Sequence, residues 1–120
     1  MRDFRKLNVW ARAHRLTLEL YKGTRCFPRE ELYGLTSQIR RSAASIGANL
    51  AEGCGRRGDK EFRRFLLIAL GSASELEYHL MLAADLGFLE RSNYARLEAE
   101  VIGVKRMLSG LINKLKAESR

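Results

Sequence analysis

The sequence predicts an all-α fold, one antiparallel up-down-up-down four-helix bundle over residues 1–120, and three observations carry that prediction. Only one proline, Pro28, occurs and β-branched residues are sparse, so little interrupts a helix and little favours a strand. Apolar residues recur at alternating steps of three and four, the spacing that lines one face of a helix. Turn-forming residues cluster at "GTRCFPREE", "GCGRRGDKE" and "GFLERSN", dividing the chain into four segments with short connections, which favour antiparallel neighbours. A chain of this length can enclose one small core.

The first helix is expected over roughly residues 8–23, where Val9, Ala13, Leu16 and Leu20 form a stripe with Trp10, Thr17 and Tyr21 beside it. Gly23 closes that run. The second is expected over 29–53, beginning after Pro28, a residue suited to a first helical turn. Its core stripe is Ile39, Ala43, Ile46 and Leu50. A second stripe holds only small side chains, Ala44, Gly47, Ala48 and Ala51, and a third holds Ser42, Ser45, Asn49 and Glu52. A solvated helix face usually carries long charged residues, and none lies between Arg41 and Glu52. Gly47 inside a helix costs about 1 kcal/mol relative to alanine, a penalty usually offset by close backbone approach. These features predict that helix 2 is covered on more than its bundle side, with Arg41, Ser45, Gly47, Ala48, Asn49, Ala51 and Glu52 serving close packing or self-association. Glu52 lies near the helix end, where the dipole disfavours an anion, so a cationic partner is expected in Arg56 or Arg57.

The third helix is expected over 59–86, with a seam of Phe62, Leu66, Ala69, Ala73, Leu76, Leu80 and Ala83 and a left-handed cap at Gly87. The fourth is expected over 92–117, capped by Ser92, with the seam Tyr94, Leu97, Val101, Val104, Leu108, Leu111 and Leu115.

Charge is segregated along this scaffold. Residues 1–64 carry 15 Lys/Arg against 7 Asp/Glu, whereas residues 65–120 carry 7 of each, so the first half holds the entire net charge of +8. Such a surface concentrates polyanions, making nucleic acid or an acidic protein the expected partner. The turn "GCGRRGDKEFRRF" is the candidate contact: Gly53, Gly55 and Gly58 loosen the backbone, and Arg56, Arg57, Lys60, Arg63 and Arg64 supply charge. A loop entering a helix amino terminus can hold phosphate through its N–H groups as well. Phe62 and Phe65 are assigned to the core, which points Arg63 and Arg64 outward with Arg56 and Arg57; Arg40 and Arg41 either extend this surface or meet another subunit.

Other functional classes lack the residues they need. The turn lacks the phosphate-loop pattern GxxxxGK[ST], so nucleotide hydrolysis is not expected. Cys26 and Cys54 form no CxxC pair, His14 and His79 are far apart, and no metal or cofactor is expected. Glu52 has no second positioned group for acid-base work, and the chain is expected not to be an enzyme. No apolar run approaches the roughly 18 residues that span a bilayer, and the charge-interrupted start "MRDFRKLNVWARAHR" does not resemble a signal peptide. A cytoplasmic protein without membrane contact is the expectation.

The stretches "LYGLTSQIRRSAASIGANLAEGCGRR" and "EFRRFLLIALGSASELEYHLMLAADLGFL" resemble the four-helix-bundle family encoded in intervening sequences of bacterial 23S ribosomal RNA genes, a ribosomal-protein-like family. The resemblance runs from about Phe4 to Leu115 and includes the turn at Phe27 to Glu30. Its most specific element is Ser45, Ile46, Asn49, Leu50, Ala51, Glu52 and Gly53; Gly47 and Leu50 depart from the usual pattern without threatening the fold. The resemblance implies a ring-like homopentamer. The chain is also similar to the accessory variability determinant proteins of diversity-generating retroelements, which implies a reverse transcriptase and structured RNA as partners. The leading expectation is a non-enzymatic oligomeric scaffold that binds structured RNA or a ribonucleoprotein through the basic surface; the alternative is an accessory subunit of a reverse transcriptase.

Overall fold

A computed structural model of the protein describes residues 2–118. Four helices dominate it: α1 (Asn8–Gly23), α2 (Leu35–Cys54), α3 (Asp59–Asp85) and α4 (Arg91–Glu118). Short 3-10 turns at Phe4–Lys6, Thr24–Cys26 and Arg29–Glu31 precede α1 or link it to α2, and no strand occurs among the described residues. The four-helix bundle measures 48 × 22 × 20 Å.

Each helix packs on two others: α2 on α1 and α3, α4 on α3 and α1. Ser45 meets Ser72 at 2.9 Å near mid-helix, while Gly53 lies against Phe62 and Phe65 at the turn. Thr17 donates its hydroxyl to the Ala43 carbonyl at 3.2 Å, Lys105 reaches Glu77 at 2.8 Å, and Arg12 and Glu19 of α1 pair with Glu100 and Arg96 of α4. The predicted seams supply the core: Leu16, Ile39, Ile46, Leu50, Phe62, Leu66, Leu76, Leu80, Val101, Val104 and Leu108 are fully buried. In the last turns of α4 the seam passes through Ile112, and the expected Leu111 is only half-buried. A straight helix of 3.6 residues per turn drifts away from a strict 3-4 alternation, so the buried position moves on by one.

Two expected boundaries are corrected. Pro28 starts a 3-10 turn, and α2 begins at Leu35 instead of residue 29. Gly34, at φ −110° and ψ −114°, breaks the path, and the Glu31 carboxylate then accepts the Leu35 N–H at 3.0 Å. Leu32 and Tyr33 are left exposed. At α4 the first helical bond runs from the Tyr94 N–H to the Glu90 carbonyl, 2.9 Å, so Glu90 occupies the cap and Ser92 lies inside the first turn. The Gly87 expectation holds. Its φ is +83°, and bonds from Gly87 N–H to Ala84 O and from Phe88 N–H to Ala83 O close α3 as a Schellman motif.

α3 is apolar on two sides. It is long and apolar enough to cross a membrane by length and composition alone. Polar residues such as Ser72, Ser74, Glu75, Glu77 and His79 interrupt its sequence without clustering on one face, so it contains no long unbroken apolar run.

Candidate nucleic-acid interface

The basic turn occupies one end of the bundle, where α2 runs into α3. The chain reverses through exposed residues 55–58, and Gly58 adopts φ +82° with ψ 155°, a conformation that side chains other than hydrogen rarely allow. Gly53 makes the close approach here. A Cβ on it would lie 2.8 Å from Phe65 Cβ and 3.2 Å from Phe62 Cδ1. Phe62 and Phe65 are buried, as their assignment to the core predicts. The turn is therefore anchored by two aromatic rings beneath it.

The five predicted cations divide into separate groups. Arg56 and Arg64 lie over the Phe65 ring, at 5.3 and 4.5 Å from its centroid, and each also binds a carboxylate. Arg56 reaches Glu52 at 2.8 Å, the partner expected for that residue, and Arg64 grips Glu61 with two bonds of 3.0 and 3.2 Å. The Arg64 hydrogen bond holds the Glu61 carboxyl below its ordinary pKa, and Glu61 in turn raises that of Arg64. Arg57 is exposed at the tip, and among the described residues neither it nor exposed Lys60 makes an ion pair.

Arg63 corrects the expectation that it projects with Arg64. One residue turns 100° around a helix, so the two side chains leave α3 in different directions. Arg63 is half-buried and, with Asp59, Lys60, Leu115 and Lys116, lines a cavity of about 310 Å³ beside the end of α4; its Nε is buried without an acceptor. Arg40 and Arg41 do not extend the surface. Arg40 donates to Thr24 Oγ1 at 2.9 Å and to the Tyr21 carbonyl at 3.2 Å, binding α2 to the far end of α1. Arg41 is exposed about 20 Å along α2 from its last residue, Cys54, at 1.5 Å per residue.

Arg2 joins the site without having been singled out from the sequence. Its N–H donates to the Cys54 carbonyl at 3.0 Å, and its guanidinium meets Asp59 at 2.7 Å over the Phe62 ring, 4.2 Å from the centroid. The only signal was a charged "MRDFRK" start without helical period, which does not say where that segment folds back. Cys54 beneath this strap is buried, which pushes its thiol pKa up and keeps it protonated.

The residues predicted for assembly or close packing take two directions. Ser45 bonds to Ser72 across the α2–α3 interface, and Asn49 Nδ2 donates to the Ser45 carbonyl at 2.8 Å and to its hydroxyl at 3.0 Å. The polar stripe is thus partly consumed inside the monomer. Gly47, Ala48 and Ala51 instead floor a groove between α1 and α2, together with Ala44. A Cβ on Gly47 would lie 3.4 Å from Trp10 Nε1, an ordinary contact, so the close-approach glycine of α2 is Gly53 rather than Gly47.

Chemically the turn can bind anions. The amino terminus of α3 has no side-chain cap, leaving its first N–H groups open, although Asp59 and Glu61 in the first turn offset part of the dipole. The carboxylates present, Glu52, Asp59 and Glu61, are each engaged by an arginine. No group of three or more His, Cys, Asp or Glu residues converges among the described residues in a way that would hold a metal ion.

A bundle of paired helices with a cationic turn at one end is the class these features define. The chain belongs to the 23S rRNA-intervening sequence protein family, whose pattern it matches over residues 5–110. Among solved structures it is similar to a protein of unknown function from the S23 ribosomal protein family of Bacteroides thetaiotaomicron VPI-5482. The two share 24% identity with a TM-score of 0.80, over 88% of this chain and 95% of the other, a likeness of fold. No curated protein matches the sequence.

Proposed function

We propose that the protein is a non-enzymatic, cytoplasmic scaffold of several copies that binds structured RNA, or a ribonucleoprotein, through the turn between α2 and α3. Each copy is an antiparallel up-down-up-down bundle, and the copies form a ring. The number five for that ring rests on the family resemblance alone. The observation that carries the binding reading is the confinement of the +8 net charge to residues 1–64, with Arg57 and Lys60 exposed and unengaged by carboxylates at the turn. The family's name, which ties it to intervening sequences of 23S ribosomal RNA, supports an RNA context. The engagement of each nearby carboxylate by an arginine favours binding over catalysis, since a general acid or base needs a free proton-carrying group. No match reported above is to a reverse-transcriptase accessory protein, and that alternative gains no support.

A salt titration tests the reading. Binding to a structured RNA should weaken with salt, log K falling against log salt by roughly 0.7 to 0.9 per phosphate contact. Replacing Arg57 and Lys60 with alanine should flatten the slope. An affinity insensitive to salt, or a slope unchanged by these replacements, would refute it.

A further inference from the structure

α3 carries its core residues on one side and, on the opposite side, Leu67, Ile68, Tyr78 and Met81, all 41–54% exposed. Gly71 and Ser74 lie among them, so the outward stripe is apolar and nearly uncharged over about 21 Å, at 1.5 Å per residue. A solvated helix face of this length normally carries long charged side chains. Elsewhere on the molecule, α1 and α2 frame an open apolar groove of about 450 Å³. Its floor is Ala44, Gly47, Ala48 and Ala51, and its walls include Trp10, Leu18 and Tyr21. The wall from Trp10 to Tyr21 is about 17 Å long, within one helical turn of the stripe.

We propose that the outward stripe of α3 seats in the α1–α2 groove of a second copy of this chain. This deepens the self-association in the reading above by naming both surfaces. The shapes are complementary. Large side chains project from the stripe, and a floor without side chains beyond Cβ receives them. The charges agree as well. Glu75, exposed within the stripe, and Arg41, exposed on α2 three residues before the groove-floor residue Ala44, make no ion pair within the chain among the described residues. Because stripe and groove are different surfaces, the contact is head-to-tail: each copy offers a stripe to one neighbour and a groove to another. A contact of that type generates a ring when its rotation closes, and an isologous pair would not. The absence of a side chain at Gly47 keeps the groove open, which gives this glycine a use that packing inside the monomer does not.

The test uses two variants of the whole chain, Leu67→Glu with Tyr78→Glu on the stripe and Leu18→Glu with Ala48→Glu in the groove, with mass measured by light scattering and helix content by circular dichroism. Wild type should run as a multiple of 13.7 kDa. Each variant should run as a folded monomer, and an equimolar mixture should give a species of two chains, since one intact stripe and one intact groove remain. A groove variant that stays oligomeric, a mixture of folded variants that stays monomeric, or a monomeric wild type would overturn the proposal. A wild type that stays monomeric in solution yet floats with vesicles of equal phosphatidylcholine and phosphatidylglycerol would assign the stripe to a lipid surface instead. RNA binding is scored separately. A monomeric wild type that binds RNA defeats this interface alone, whereas an assembled protein that ignores RNA defeats the binding turn alone.

Discussion

α3 and α4 are nearly equal in length, 27 and 28 residues, and each presents one buried seam to the same core, yet their outer faces have little in common. α4 shows solvent Arg96, Arg106, Asn113 and Lys114, and among its described side chains no large hydrophobic is exposed. α3 shows Leu67, Ile68, Tyr78 and Met81. Burial in the monomer explains the inner faces of both helices and the outer face of neither. What the contrast teaches is that one helix is apolar only toward the core while the other carries a second apolar face, built from separate residues.

Ways to break that comparison begin with the inner faces, where the largest effects lie. Leu76→Ala in α3 and Leu108→Ala in α4, both fully buried, should each cost about 2–5 kcal/mol in urea unfolding. Costs that differ widely between the two would undo the equivalence of the seams. Gly53→Ala should come next, at about 1–3 kcal/mol, because the new methyl meets Phe65 and Phe62 at the α2–α3 corner. Gly47→Ala sharpens the contrast by its opposite sign. It should stabilise a monomeric background, such as the stripe variant, by up to about 1 kcal/mol, while weakening self-association of the otherwise native chain by narrowing the groove. A destabilised monomer would mean that Trp10 cannot give way.

The smallest effect concerns pH at the α1–α4 contact. Arg12 hydrogen-bonds Glu100 at 2.9 and 3.3 Å and holds its carboxyl below the usual carboxylate range. A depressed folded pKa contributes stability above the unfolded pKa, and that contribution is lost as pH falls through the folded one. Thermal unfolding of wild type should therefore lose more stability on acidification than Glu100→Gln does. The pair is partly exposed, so the difference should be about 0.2–1 kcal/mol. Equal acid sensitivity would show that the bridge contributes nothing.

The parts of the fold written as period were legible in the sequence. Val101, Val104 and Leu108 announce a buried seam by spacing alone, and Gly87 announces its left-handed cap because few other residues tolerate positive φ. Boundaries set by single side chains were not. Glu31 caps α2 through a carboxylate whose reach depends on the bend at Gly34, and the Pro28 signal pointed to the wrong residue. At the candidate site the five cations were named, but their division was hidden. Whether Arg63 or Arg64 faces solvent depends on how α4 ends beside α3, which is tertiary information. Arg2 was hidden for the same reason. The outer stripe of α3 could have been found, because Leu67, Ile68, Tyr78 and Met81 are apolar and off the seam; attention to the seam alone passed over them.

The central claim is that the turn between α2 and α3 is where RNA is held, and photo-crosslinking followed by peptide mapping tests it most directly. Purified protein would be irradiated with a structured RNA at moderate salt and the adducted peptides identified. The account predicts adducts concentrated in residues 55–64 and suppressed by Arg57→Ala with Lys60→Ala. Adducts confined to α4 or to the α1–α2 groove, with that turn unmarked, would contradict it.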